Sequence, residues 1–519
     1  MNCRLLWNTI KYLKVRQILF QVMNRVHKPA YKVYDLPFAV DDLPKGLKTE
    51  PIARYKCLEG STFTFLNLEH EFAGWNFTDN GMLWAYNQNY FDWLNQKDIT
   101  QEEGCKWIDC YISTYLTDLH VSANSCDSCD TRKLGLDPYP IALRCINWVK
   151  FFCRYPECAT KPRIESLYSQ LRLLEKELEY HLLGNHLLED AYSLFIGSVY
   201  FQDDKLGGKA YRLLISQLKE QTLSDGAHYE QSVMYHCILL DRLLDCINIS
   251  AYRANLTSYI LHLTSFAEQM LGHLESIVWE DGSIPLLNDA AEGIAPAPSQ
   301  IFDYARRLGL QWKAIPLGEC GYRKMKNERI EAVMDVGNIT ATYQPGHSHA
   351  DSLNYELHID GNPFVIDTGI STYDKTPRRQ FERSTAAHNC VMVEKDTKGT
   401  GDYVDSSQVW GGFRVGKRCN VTLMIDKPNE VVACHNGYGK KCKRRFAIED
   451  GKFVVEDTYD GNAVSLIHLV VDADTNRIKI EGARKVEMAD EKYSVEYNRF
   501  LSSRVMKIYF MGKVKYTIQ

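Results

Sequence analysis

The chain has 519 residues, too many for one hydrophobic core and enough for two or three domains. Its 45% apolar and 24% charged composition is that of an ordinary soluble globular protein, and a net charge of −5 removes any global electrostatic case for nucleic acid. A polyanionic partner would have to be met by a local basic surface.

The opening segment, MNCRLLWNTIKYLKVRQILFQVMNRVHK, spreads Arg4, Lys11, Lys14, Arg16 and Arg25 among apolar residues. A secretory signal needs an uninterrupted apolar stretch of about 7–15 residues, and a membrane span roughly 20; neither pattern is present. The segment reads as an amphipathic helix, with membrane-surface attachment as the minor alternative. The expected location is cytoplasmic, the alternative periplasmic. Sixteen scattered cysteines fit reduced thiols. Cys126 and Cys129 form a CxxC, but no second CxxC completes a four-thiolate metal site.

From about residue 85 to 310 apolar residues recur mainly at helical spacing. PYPIALRCINWVKFF, SLYSQLRLLEKELEYHLL, LLEDAYSLFIGSVYF, KAYRLLISQLKEQTL, SVMYHCILLDRLLDCI and YILHLTSFAEQMLGHL each predict a helix, joined by short turns as in stacked helical hairpins. The character changes near residues 290–325. Beyond it IEAVMDV, ITATYQ, LNYELHI, NPFVID, HNCVMVE, NVTLMI, FVVEDTY, VSLIHLVV, YSVEY and VMKIYFM alternate like strands between DG, GN and EG turns. The expected architecture is a helical domain over residues 1–315 followed by stacked antiparallel sheets over 316–519. A crevice between two such domains suits an extended ligand.

Four clusters carry residue types fit for chemistry. In Gly346-His347-Ser348-His349-Ala350-Asp351, His347 and His349 share a side if the chain there is extended. They are then either both metal ligands or one ligand beside one titrating group. With Asp367, in VIDTG, and His388, in AAHNC, returning to the same edge, two histidines and one carboxylate form a plausible zinc set with one position open; the alternative is hydrogen-bonded structural histidines. In SDGAHYEQSVMYH, Gln231 and Tyr235 fall four apart, on one face of a helix. Tyr235 is either a proton carrier or a core aromatic. Asn185 and His186, in GNHLLED, either donate to an anion or cap a helix. Lys375, Arg378, Arg379 and Arg383 form either a solvated loop or a fork for carboxylates and sulfates.

Taken in order, FTFLNLEHEF, LWAYNQNYFDWL, RCINWVKF, GNHLLED, DGAHYEQSVMYH, DGSIPLLND, GHSHADSLNYELHIDGNPFVIDTG, RSTAAHNCVMVE and VWGGFRVGKR resemble the heparinase II/III-like polysaccharide lyases. The resemblance implies an incomplete α/α toroid followed by an antiparallel β-sandwich. It implies that Asn185 and His186 neutralise a uronate carboxylate, that Tyr235 protonates the leaving oxygen, and that His347 serves as base. It also implies a structural zinc on His349, Asp367 and His388. Glu230, Gln231 and Trp148 are expected beside the substrate with Arg378, Arg379 and Arg383. Where the family often has His-x-Arg, this chain has Lys443 and Arg445.

Such residues fit β-elimination. The C5 proton of a uronate becomes removable once its carboxylate is neutralised, each well-placed donor contributing roughly 3–4 kcal/mol. For a glucuronate-like unit Tyr235 could act as both base and acid; for its iduronate epimer His347 is the better base. The expected substrate is an acidic polysaccharide, a glycosaminoglycan such as hyaluronan or heparan sulfate first. The alternatives are a non-catalytic carbohydrate-binding protein and a metal-dependent hydrolase.

Overall fold

The computed structural model describes residues 3–26, 29–116, 134–251, 253, 256–395 and 402–519. Cys126 and Cys129 lie outside them. Helices α1 (Cys3–Ile10) and α2 (Val15–Val26) precede a small antiparallel sheet of β1 (Leu58–Glu59), β2 (Thr62–Phe65) and β3 (Leu68–Glu71). Then come α3 (Met82–Tyr90), α4 (Gln101–Tyr111), α5 (Pro138–Arg154), α6 (Lys161–Leu174), α7 (Gly184–Tyr200), α8 (Asp204–Gln221), α9 (Val233–Ser250), α10 (Thr257–Ile277) and α11 (Pro298–Leu308).

Burial separates these helices into two layers. Helix α5 is buried at every residue from Pro140 to Cys153, α7 at all but His186, and α9 at all but Tyr235 and Ile238. By contrast α8 buries one stripe, Leu206, Ala210, Leu214 and Leu218, and α10 another through Leu263, Ala267, Met270 and Leu274. Helices apolar all round belong inside; helices with one apolar stripe wrap them. This is the helical toroid. One helix is shorter than its sequence predicts. SLYSQLRLLEKELEYHLL stops being α-helical after Leu174, and Leu183 turns through φ 63° before α7 begins.

The second half opens with β4 (Tyr322–Lys326), β5 (Ile330–Asp335), β6 (Tyr355–Ile359) and β7 (Asn362–Val365). After α12 (Pro377–Glu382) follow β8 (Val391–Glu394), β9 (Tyr403–Val404), β10 (Val409–Trp410) and β11 (Arg414–Val415). The chain ends with β12 (Val421–Lys427), β13 (Glu430–His435), β14 (Cys442–Glu449), β15 (Lys452–Val470), β16 (Ile478–Glu481), β17 (Lys485–Glu496) and β18 (Arg499–Ile518). Apart from the β10–β11 hairpin these strands form one antiparallel 13-stranded sheet.

That sheet folds over itself along β15. The first half of β15 pairs with β14, whereas β7 reaches it only at Leu469, past a bulge between Tyr459 and Asn462. Tyr355 of β6 consequently packs across the fold against Phe446 and Phe453, ring centroids 5.6 Å away in each case. The sequence segments FVVEDTY and VSLIHLVV are thus two ends of a single strand. ITATYQ is not a strand at all. Thr340 and Tyr343 leave the sheet to bond the helical half, at Tyr229 and Glu220.

Candidate active site

Three residues of α7 and α9 escape burial beside the cleft: Ile238 and the polar pair His186 and Tyr235. Their placement follows from local backbone chemistry. Gly184 starts α7 at φ 63°, and an added Cβ would fall 2.5 Å from Glu230 Oε1. Only glycine lets the Asn185 N–H reach that oxygen, at 2.9 Å, while the Asn185 amide donates to the other, at 2.8 Å. Beside it His186 Nδ1 lies 3.0 Å from Glu179. Burial opposes an imidazolium there, but the Glu179 carboxylate overrides it and raises the basicity of His186 above the ordinary value. Ser232 caps α9 by accepting from Tyr235 N–H, which fixes Tyr235 in the first turn.

From the sheet half comes the loop carrying His347. Its ring lies 4.1 Å, centroid to centroid, from that of Tyr235. Asp289, a residue that sequence reasoning missed, organises this side. The fully buried carboxylate receives both terminal nitrogens of Arg379, at 2.5 and 2.7 Å, together with His347 Nδ1 and His349 Nε2, each at 2.8 Å. Burial works against the charge, yet Arg379 and the two imidazoles hold Asp289 well below the usual carboxylate range. An ionised acceptor makes both nitrogens donors. His347 thus holds Asp289 through Nδ1 and presents Nε2, which lies 3.4 Å from the Asn185 amide and 3.6 Å from Glu230.

Tyr373, also missed, donates its hydroxyl to Tyr235 Oη at 3.3 Å, leaving the Tyr235 proton free for the cleft. Burial raises the Tyr235 pKa above its ordinary value, so the phenol is protonated at neutral pH. Tyr235, His347, Asn185 and His186 line one cavity of about 1270 Å³ between the two halves. The same cavity is lined by Arg414 and Arg418, from the hairpin arm, whose guanidiniums pair with no carboxylate among the described residues. The sequence signal for them was VWGGFRVGKR.

Several expected substrate contacts are placed elsewhere. Arg379 is buried on Asp289, and Arg383 is buried with a bond of 2.7 Å to Ser348 O; both brace the loop from behind. Arg378 pairs with Glu382 and Lys492 O, on the far side of α12. Trp148 is fully buried among Phe91, Tyr111 and Phe152, a core residue. Gln231 precedes α9 rather than sharing its face with Tyr235. Its amide joins the halves through Cys320 O, Asn338 O and Thr340 N–H. Glu230 orients Asn185 instead of facing outward. Lys443 and Arg445 lie on β14, where Arg445 pairs with Glu430, Glu449 and Glu456.

The expected metal ligands lie behind His347. Asp367 accepts from His388 Nδ1 at 2.7 Å and from Asn354 at 2.6 Å. That leaves His388 Nε2, His349 Nδ1 and Asp351 Oδ2 buried without hydrogen-bond partners. Burial brings the basicity of His349 down to about 3, so it is a neutral imidazole with a lone pair. With the His388 nitrogen, whose basicity is raised against burial by Asp367, and the Asp351 oxygen, it makes a donor set suited to a divalent ion, with Asp367 reaching it only through His388. Their atoms are not drawn together in the way of Asp225, His273 and Cys320, the one such trio among the described residues whose donors all lie within 4.8 Å of one another.

Comparison with known proteins agrees across both halves. Residues 164–305 match the family model described as Heparinase II/III N-terminus, and residues 311–489 that described as Heparinase II/III-like, C-terminal. A heparin-sulfate lyase of Pedobacter heparinus is 25% identical over 243 residues, 41% of this chain and 36% of that protein. An alginate lyase of Stenotrophomonas maltophilia is 24% identical over 123 residues, 22% of this chain and 16% of that one. The matches thus span little more than a third of the first relative's length and less of the second's. A crystal structure of Heparinase III superimposes with a TM-score of 0.64 at 12% identity, over 96% of this chain and 88% of that one. The fold is shared: a helical toroid followed by a β-sandwich.

Proposed function

The chain belongs to the heparinase II/III-like family, and on that footing we propose that it is a polysaccharide lyase acting on a uronate-containing, anionic polymer by β-elimination. One observation carries the reading: a protonated phenol from the helical half and an imidazole from the sheet half stand 4.1 Å apart at a single cavity. A glycosaminoglycan is the favoured substrate class, in keeping with the heparin-sulfate lyase among its relatives.

Each side chain has a part in the reaction. The substrate carboxylate takes the Asn185 side-chain amide N–H that now faces His347 and the positive charge of His186, so that negative charge building on the carboxylate is stabilised. His347 Nε2 removes the C5 proton, the Asp289 carboxylate steadying the imidazolium that forms. Tyr235 gives its proton to O4 as the C4–O4 bond breaks, and a C4–C5 double bond remains. A divalent ion, zinc from the nitrogen-rich donors, would be held by His349, His388 and Asp351 and would rigidify the loop carrying His347.

Incubation with hyaluronan, heparan sulfate, chondroitin sulfate, alginate and gellan separates the readings. A lyase generates the ultraviolet absorbance of an unsaturated uronate. New reducing ends without that absorbance would establish a hydrolase, and neither signal across the panel would leave a binding protein.

A further inference from the structure

Helix α2 is mounted inside out. It turns Gln17, Phe20 and Asn24 toward the protein: buried Gln17 donates to Leu182 O at 3.1 Å, and the Asn24 amide lies 3.2 Å from His181 Nδ1. Its apolar stripe faces outward. Val15, Ile18, Leu19, Val22 and Val26 recur at i, i+3, i+4, i+7 and i+11, and their exposures are 82%, 44%, 54%, 53% and 83%. Trp7 of α1 adds a ring that is 67% exposed. A helix that merely covers a soluble protein shows the reverse arrangement, and contiguous exposed apolar surface marks an interaction site.

The charges around this stripe have one sign. Within residues 3–26 every charged side chain is a cation (Arg4, Lys11, Lys14, Arg16 and Arg25), and no acidic residue occurs before Asp35. Lys14 turns back to pair with Glu220, and the Arg16 guanidinium lies over the Tyr180 ring, 3.5 Å from its centroid. Two copies of this face would bring like charges together, whereas an anionic lipid surface answers both the cations and the apolar stripe. We propose that the outer face of α1 and α2 docks on an anionic phospholipid bilayer, with the stripe in the boundary between headgroups and acyl chains. No described helix is long and apolar enough to cross a membrane.

The inner face of the same helices roofs the catalytic cavity. Leu6, Leu13 and Phe20 line it together with His186 and Tyr235, and Trp410 of the hairpin arm donates to Thr9 at 3.2 Å. Docking would therefore hold the cleft at the lipid surface, where surface-tethered polymers are anchored.

The test uses the whole chain, sedimented with vesicles of equal parts phosphatidylcholine and phosphatidylglycerol, or of phosphatidylcholine alone. Binding is expected to the anionic vesicles, at least about tenfold tighter than to neutral ones and weakening as salt rises. The combined variant Trp7→Ser/Ile18→Ser/Leu19→Ser/Val22→Ser changes exposed side chains that line no part of the cavity. It should lose at least about tenfold in vesicle affinity with an unchanged melting temperature. Wild-type protein left in the supernatant with anionic vesicles, or equal binding by the variant, overturns the proposal. So does a dimer in ultracentrifugation that these substitutions dissociate while vesicles bind neither form, since a second copy would then own the stripe.

Discussion

Tyr235 and His347 lie ring beside ring, 4.1 Å between centroids, although one belongs to a helix of the toroid and the other to a loop of the sheet half. The phenol keeps its proton, and the Asp289 carboxylate holds His347 by Nδ1 with Nε2 turned toward Asn185. Tyr235→Phe should lower kcat on the order of 100- to 10,000-fold, with substrate affinity nearly unchanged in equilibrium titration. Near-normal turnover in that variant would remove the phenol from the reaction.

Asp289 and Arg379 form a buried pair whose partners cannot be removed singly without cost. Asp289→Asn is expected to lower unfolding free energy by about 3–5 kcal/mol and to depress kcat by freeing the His347 tautomer. Adding Arg379→Met should restore most of the stability but not the activity. Recovery of both in the double variant would reduce Asp289 to a structural counter-ion.

His186 provides a pH signature. Its pKa is raised by Glu179, so its charge is kept through the ordinary histidine range and lost as pH rises through the folded value; the pair's contribution to stability follows the same direction. The alkaline limb of kcat/KM should reflect that loss. Glu179→Gln removes the largest of the influences that raise it, leaving the weaker ones of Glu230 and Glu189 against burial, and the limb should shift to lower pH. A limb that does not move would dissociate His186 from carboxylate neutralisation.

If the proposed set holds a metal, His388→Ala and Asp351→Asn should each lower the metal content and the melting temperature. Asp367→Asn, acting through His388, should weaken affinity by about 10- to 100-fold. Metal content equal to that of the wild type in all three variants, by elemental analysis, would refute this set.

Arg414 and Arg418 line the cavity without a carboxylate partner among the described residues, so the proposed anionic substrate would meet them there. Replacing either with alanine should raise KM roughly tenfold with little change in kcat, and the penalty should shrink in high salt. An unaltered KM would place the polymer elsewhere in the cleft.

Much of the architecture was legible because periodicity is a local property. Spacing marked the helices from α5 to α10, and alternation marked most strands. Asn185, His186, Tyr235 and His347 were flagged as candidate residues, and the resemblance supplied their roles. What remained hidden was long-range. Asp289 sits alone in a loop, and its partners lie 58 to 90 residues further along the chain. Without that anion in view, Arg379 looked like an available cation. Trp148 misled for the opposite reason, since an aromatic residue inside an apolar helix has no local mark separating core from cleft.

The inter-half location of the Asp289–Arg379 pair has a consequence for the molecule as a whole. The anion comes from the toroid, its guanidinium and both imidazoles from the sheet half, so each piece on its own would carry a naked interior charge. Chemistry and cohesion share the same atoms here. A fragment cut between the last toroid helix and the first strand of the large sheet forfeits a clasp as well as a catalyst, and neither piece is electrostatically complete.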